Sequence, residues 1–298
     1  MREDVVMRIL DIAELLLLAA LWGGSFLFMR IAAPVLGPVW LIEMRVLLAG
    51  LVLLPFLLHL GLWSEVRRKA MPLFVIGCIN SAIPFLLLAF ASVSLPSGFT
   101  SILNATAPLF GTGIAFVWLK EKLTSSRSIG FGLGFAGVLI LVGWKAVVAT
   151  PTFFIAVVAG LAAALMYAIA APYAKKQLAG VPPLVIATAS QLSAAIVLLP
   201  AIPFALPNAT PTPIVLSSVL MLALFSTALA YILYFRLIKN VGSTKALTVT
   251  YLIPLFAILW GTIVLSEPVT SSMVLGCGLI LLGTAVANDL FKHWLENF

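Results

Sequence analysis

One arrangement of residues in this chain has the spacing of cofactor chemistry. Gly132, Gly134 and Gly137 form G-x-G-x-x-G inside GFGLGFAG, the pattern of a turn that holds the pyrophosphate of a dinucleotide. Such a turn needs a strand before it, a helix after it and an acidic residue about 20 positions on. Here the next acidic residue after Glu121 is Glu267, and Ile129 to Trp144 carries no charge. Other chemistry-bearing residues are sparse. Cys78 and Cys277 sit singly in apolar runs, and His59 and His293 lie far apart. Neither a disulfide framework nor a metal-ligand cluster is readable. General acid–base and metal catalysis need positioned His, Asp, Glu or Cys, so an enzyme is the weakest reading. No cofactor and no metal are expected.

The elements that carry these residues follow from composition. The chain has 298 residues, 63% hydrophobic and 9% charged, with a mean hydropathy of +1.20. A soluble domain averages about 45–50% apolar and about 25% charged residues. With so few charges the surface must be covered by lipid, so the bilayer is the first partner. A span needs about 20 apolar residues to cross about 30 Å of hydrocarbon, and its backbone polar groups must be satisfied within the segment, as in a helix. Ten spans are predicted, over 12–31, 38–59, 71–93, 98–119, 128–145, 152–174, 183–204, 213–236, 243–265 and 271–291. The run Ile12 to Met29 follows Arg2 and Arg8. It is long for a signal-peptide core and no A-x-A site follows it, so it reads as the first span.

A net charge of +7 could mean a nucleic-acid partner. The positions of the basic residues give another cause. With a cytoplasmic N-terminus, the cytoplasmic segments hold Arg2, Arg8, Arg67, Arg68, Lys69, Lys120, Lys122, Arg127, Lys175, Lys176, Arg236, Lys239, Lys245 and Lys292. The outer segments hold Arg30 and Lys145, and Arg45 lies inside the second span. This is the positive-inside pattern, so no nucleic acid is expected. The expected location is the cell's inner membrane, with both termini cytoplasmic.

The chain also repeats itself. At a constant offset of 146 residues, Pro108-Leu109-Phe110 matches Pro254-Leu255-Phe256, Glu121 matches Glu267, and Thr124-Ser125-Ser126 matches Thr270-Ser271-Ser272. Gly130, Gly132 and Gly137 match Gly276, Gly278 and Gly283. The sister segment GCGLILLG has Ile280 where Gly134 stands, which breaks the dinucleotide fingerprint. Gly130, Gly134 and Gly137 instead form one helix face suited to close helix packing. Two units follow, 1–146 and 147–298. Each has five spans, an odd number, so the second unit enters the membrane from the opposite side. The fold class is an all-α integral membrane protein of ten helices, as two inverted-topology five-helix repeats, a recurrent build of secondary transporters.

Two five-helix repeats, each closing with Pro-Leu-Phe, a Glu thirteen residues after the Pro and spaced glycines, resemble the EamA-type members of the drug/metabolite transporter superfamily. The resemblance covers nearly the whole chain. It implies export of small metabolites or drugs, and within the superfamily exporters of amino acids, including aromatic ones.

The solute site is expected where helices are interrupted. A proline inside a helix frees the carbonyl four residues earlier, and in lipid that carbonyl needs a partner or a cavity to line. Pro108 and Pro254 lie four residues after Asn104 and Thr250, their counterparts in the repeat, and Pro84 follows Asn80 in the same way. These prolines are the hinge candidates. Around them, Ser226 and Tyr231 stand where the third span has Asn80 and Phe85, and Tyr234 is close to Tyr231 on one helical face. Thr244, Thr248 and Tyr251 form a polar stripe, Tyr167 comes from the sixth span, and Trp22 and Ser25 lie in WGGSF. A cavity between spans 1, 3, 4, 6, 8 and 9 would be lined by hydroxyls, amides and aromatic faces, suiting a small amphipathic solute. Packing, or the interfacial belt for Trp40, Trp63, Trp144 and Trp294, is the competing reading of the aromatics. Glu43 and Arg45 are expected to snorkel outward from the outer end of the second span. A carboxylate-binding Arg45 and a proton-carrying Glu43 are the secondary readings. Glu121 and Glu267 are expected to be structural, capping the helices that follow them.

An exporter of amino acids or related amphipathic metabolites is thus the leading reading. A translocator of sugar phosphates or nucleotide sugars needs cavity Arg or Lys, and Arg45 looks badly placed for that. The oligomeric state is open, and a monomer is compatible with the sequence.

Overall fold

The first helical run, Ile9–His59, has 51 residues, about 75 Å at 1.5 Å per residue. That is more than twice the roughly 30 Å of bilayer hydrocarbon. Gly37 breaks it with φ 75° and ψ 154°, a backbone conformation open to glycine because it has no Cβ. Met29 and Arg45, equidistant from Gly37 in sequence, approach within 3.9 Å across the break. The run is therefore a hairpin of α1 (9–36) and α2 (38–59). The computed structural model describes residues 8–118, 124–143 and 150–287. Arg2, Lys120, Glu121, Lys122, Trp144, Lys145, Lys292, His293 and Trp294 lie outside the described residues, as does the side chain of Thr244.

A short helix, Trp63–Arg68, leads into α3 (Ala70–Ser94). The helix widens to a π turn over Cys78–Ala82, just before Pro84, which has no N–H to give. Helix α4 is in two pieces, Ser97–Asn104 and Ala107–Trp118. In the break the Thr106 hydroxyl donates to the Leu103 carbonyl at 2.6 Å. Pro108 is thus the second residue of a new helix, where a missing N–H costs nothing, and is not a kink in a continuous one as expected from the sequence. Helix α5 (Ser125–Gly143) follows, and then α6 (Pro151–Gln177), capped by Thr150, whose hydroxyl accepts from the Phe153 N–H at 3.2 Å.

Helix α7 (Pro183–Phe204) tightens to 3₁₀ over Leu199–Phe204. Helix α8 (Pro213–Val241) carries a π turn over Leu224–Leu229, at the repeat position of the π turn in α3. No proline lies there, and the Thr227 hydroxyl takes the Leu222 carbonyl at 2.8 Å. Helix α9 consists of Ser243–Leu247 and Val249–Leu265, and α10 is Ser271–Ala287. The Thr270 hydroxyl accepts from the Met273 N–H at 3.2 Å at the start of α10.

Among the described residues no strand occurs, and seven helical runs are long and apolar enough to cross a membrane. The broken α4 and the 17-residue α10 fall below that length. Large apolar side chains such as Leu51, Phe56, Phe135, Val158 and Ile263 are exposed on the outside of the bundle, a surface that lipid covers and water does not. The chain is an all-helical, multi-pass membrane protein. Helix α1 continues past residue 31 and α8 past 236, so both are longer than the sequence suggests.

Candidate functional site

A cavity of about 650 Å³ lies among α1, α2, α3, α4, α6, α8, α9 and α10. Helix α1 brings Trp22 and Ser25 to it, α3 brings Asn80 and Phe85, and α4 brings Asn104 and Pro108. Helix α6 contributes Tyr167, α8 contributes Ser226, Tyr231 and Tyr234, and α9 contributes Thr250, Tyr251 and Pro254. The breaks and wide turns account for this convergence. Asn80 lies within the π turn of α3, Ser226 within that of α8, and Asn104 ends the first piece of α4. An irregular turn shifts the register of the following residues, so polar groups from both sides of the interruption reach one space.

The aromatic wall is packed on itself. The Trp22 and Tyr234 rings lie 5.2 Å apart, tilted by 54°. Tyr231 stacks on Phe235 at 5.9 Å. Ser25 is tied to its own helix, donating to the Trp22 carbonyl at 2.6 Å, and Thr250 donates to the Leu247 carbonyl at 2.8 Å. Three polar atoms of the lining are different: Ser101 Oγ, Asn104 Oδ1 and Ser226 Oγ are buried with no hydrogen-bond partner among the described residues. Orphaned buried acceptors are uncommon in proteins and point to a bound group or water.

One expected lining member, Thr248, and one hinge candidate, Pro84, are not in the lining. Thr248 stands at the break of α9, where the register of the Thr244–Thr248–Tyr251 stripe is lost, and its hydroxyl donates to the Lys245 carbonyl at 2.7 Å. Pro84 is buried within α3. Helices α2 and α10, absent from the expected cavity, do reach it through Arg45, Leu281 and Thr284.

Arg45 is the largest correction. It does not snorkel outward. It is 4% exposed and lines the cavity. Its Nε donates to Thr227 Oγ1 at 3.0 Å, and its guanidinium lies over the Phe85 ring at 3.7 Å. The cause is the π turn of α8, which presents Thr227 toward α2 and gives the long side chain a partner inside the bundle. Glu43, two residues away, is also buried, at 5% exposure, and lies outside the lining.

The two ends of the cavity differ. At one end, Lys175 near the C-terminus of α6 lines the cavity, and Lys69, beyond the far end of α2, donates to the Gln177 carbonyl at 3.2 Å. At the Gly37 end the helices are tied together. Arg30 Nη1 donates to the carbonyls of Ser92 and Val93 at 3.0 and 2.7 Å. Arg30 also pairs with Glu267 at 3.5 Å. The other oxygen of Glu267 accepts from the N–H of Ser97 at 2.9 Å and from its hydroxyl. So Glu267 does not cap α10, which Thr270 does. It caps α4, across the repeat boundary.

Known proteins share this sequence and shape. The chain matches the EamA-like transporter family twice, over residues 12–143 and 154–288. It is 24% identical over 274 residues to an uncharacterized transporter of Archaeoglobus fulgidus, covering 90% of this chain and 95% of that one. It is 23% identical to an S-adenosylmethionine/S-adenosylhomocysteine transporter of Chlamydia muridarum, covering 89% and 87%. A solved crystal structure, 19% identical, superposes with a TM-score of 0.67 over 95% of this chain and 99% of that one. With two family units and an internal cavity between its helices, the chain belongs to the EamA-like transporter family of the drug/metabolite transporter superfamily and is a transporter, not an enzyme.

Proposed function

We propose that the protein is a secondary exporter of small amphipathic metabolites, amino acids including aromatic ones foremost, working by alternating access around the central cavity. The observation that carries this is the lining itself: aromatic faces beside amides and hydroxyls, some of them without partners. Such a lining suits a solute with an apolar body and a polar end. The named Chlamydia relative favours the same class, because S-adenosylmethionine carries an amino-acid end on a larger body.

The ten-span reading is part of the proposal. The α1–α2 hairpin is long enough to cross twice, and α4 and α10 are taken as spans despite a break and a short length. The units 1–146 and 147–298 then have opposite orientation. Arg67, Arg68, Lys69, Lys175 and Lys176 belong to the end where Lys69 meets Gln177, which supports that end as the cytoplasmic one, in the cell's inner membrane. Pro84 beside the π turn, Pro108 beside the break of α4 and Pro254 inside α9 are the proposed hinges.

Proteoliposomes loaded with labelled amino acids test the reading, with and without a pH gradient. Flux above empty liposomes is expected for at least one apolar or aromatic amino acid. No flux for any of the panel would sink it. A second reading, translocation of a phosphorylated solute, is favoured by one observation: Arg45 and Lys175 both line the cavity. Competition by a sugar phosphate against amino-acid flux distinguishes it.

A further inference from the structure

We infer that Arg45 recognises an anionic group of the solute, and that this group is a carboxylate carried on an apolar or aromatic body. The inference rests on the cavity being the transport site. Arg45 is 4% exposed and lines the cavity. Among the described residues it has no ion pair within 4.0 Å, and Glu43 on the same helix makes none with it. The lining contains no Asp or Glu, and its other charged member, Lys175, is also a cation. A guanidinium taken out of water without a counter-charge is unfavourable, so the site is electrostatically incomplete as it stands.

The guanidinium is also oriented. Nε is held by Thr227, one face by Phe85, and Nη1 points toward Met29 Sδ at 3.9 Å, a weak acceptor. Among the described residues Nη2 has no acceptor. A planar fork with a fixed Nε and face and a free Nη edge matches a carboxylate. The orphaned atoms Asn104 Oδ1, Ser101 Oγ and Ser226 Oγ complement it: the amide oxygen calls for a solute that also donates, and the two hydroxyls can pair with either a donor or an acceptor. The aromatic rings supply the surface for its body. A solute with a carboxylate, a donor such as an ammonium, and an apolar body satisfies all three groups together. A phosphate group satisfies the first and can take the two serine hydroxyls as donors, but it leaves Asn104 Oδ1, which can only accept, unmet.

The test uses the full chain in proteoliposomes with labelled L-phenylalanine and labelled L-phenylalaninamide as probes. Unlabelled phenylalanine, phenylalaninamide and glucose 6-phosphate serve as competitors of the wild type. Phenylalanine should compete at least about tenfold better than the amide, which keeps the aromatic body and the amine but has a neutral carboxamide in place of the carboxylate. Arg45→Gln should lower phenylalanine transport at least about tenfold more than it lowers phenylalaninamide transport. Arg45→Lys, which keeps the charge without the fork, should fall between. Size-exclusion profiles of the variants separate misfolding from lost recognition, and the wild-type competition stands even if Arg45→Gln fails to fold. Equal competition by acid and amide overturns the inference and leaves the transport reading intact. Stronger competition by glucose 6-phosphate overturns the carboxylate in favour of phosphate. No flux of either phenylalanine compound overturns the inference, and the transport reading falls only if the wider amino-acid panel is also inert.

Discussion

The Arg45 guanidinium is anchored by one hydroxyl, and that hydroxyl has two roles. Thr227 Oγ1 accepts from Arg45 Nε at 3.0 Å and donates to the Leu222 carbonyl at 2.8 Å. It therefore joins the buried cation of α2 to the wide turn of α8. Thr227→Val keeps the shape and removes both bonds, leaving a buried N–H and a buried carbonyl short of partners. A loss of about 1–3 kcal/mol is expected for each such group left unsatisfied. It would be read as a lower melting temperature of the detergent-purified protein, with Thr227→Ser keeping the wild-type value. A valine variant as stable as wild type would show that water replaces the hydroxyl. At this scale most of the candidate lining was legible. Asn80, Asn104, Tyr167 and Tyr231 are polar or amphipathic residues in apolar runs, where facing lipid is costly. Arg45 was misread because counting from the end of a span gives depth and not direction. Its direction depends on Thr227, and the turn that aims Thr227 has no proline to announce it. Thr248 failed for the converse reason, since a face drawn on a continuous helix does not survive a break.

Helices α5 and α10 meet through backbone, as the doubled glycine spacing suggests. A Cβ placed on Gly130 would come within 2.5 Å of the Gly283 carbonyl and the Ala287 nitrogen. One on Gly283 would come within 2.5 Å of the Gly130 carbonyl. These contacts are backbone on both sides, so neither partner can turn away. Gly132 and Gly278, the other matched pair, would meet nothing within 4 Å. Gly283→Val should therefore force the seam apart at a cost of about 1–3 kcal/mol or more. The expected sign is a loss of monodisperse protein on size exclusion, while Gly132→Ala and Gly278→Ala behave as wild type. Equal yields of all three would mean that the seam is looser than its geometry. The helices and their seams were largely readable from hydropathy and glycine spacing. The interruptions were half readable. Pro84 marks the π turn of α3, yet Pro108 opens a helix that the pattern draws as continuous, because a proline near a break and one inside a helix look alike in sequence.

For the whole molecule, the proposed alternating access gives the tie at the Gly37 end a role in setting which way the cavity opens. Arg30 of α1 holds the last carbonyls of α3 and pairs with Glu267, and Glu267 holds the start of α4 through Ser97. Three helices of the first repeat are thus fastened to the end of α9 in the second. In that proposal the tie parts when the cavity opens on that side, and re-forms when it opens at the Lys175 side. Arg30 and Glu267 are partly exposed, at 30% and 13% of their side chains, so the ion pair itself adds little. The bonds to the carboxylate matter more. Removing them in Glu267→Ala should favour the state open at the Gly37 end by about 1–2 kcal/mol, about five- to thirtyfold in population. The readout is a cysteine at Ser25, which lines the cavity, in a protein with Cys78 and Cys277 replaced by alanine. A membrane-impermeant thiol reagent should label the wild-type background mainly from the Lys175 side. With Glu267→Ala added, labelling from the opposite side should rise, and Glu267→Gln, which keeps one acceptor for Ser97, should lie between. Unchanged sidedness in both variants would mean that the tie holds α4 in place without setting the direction of opening.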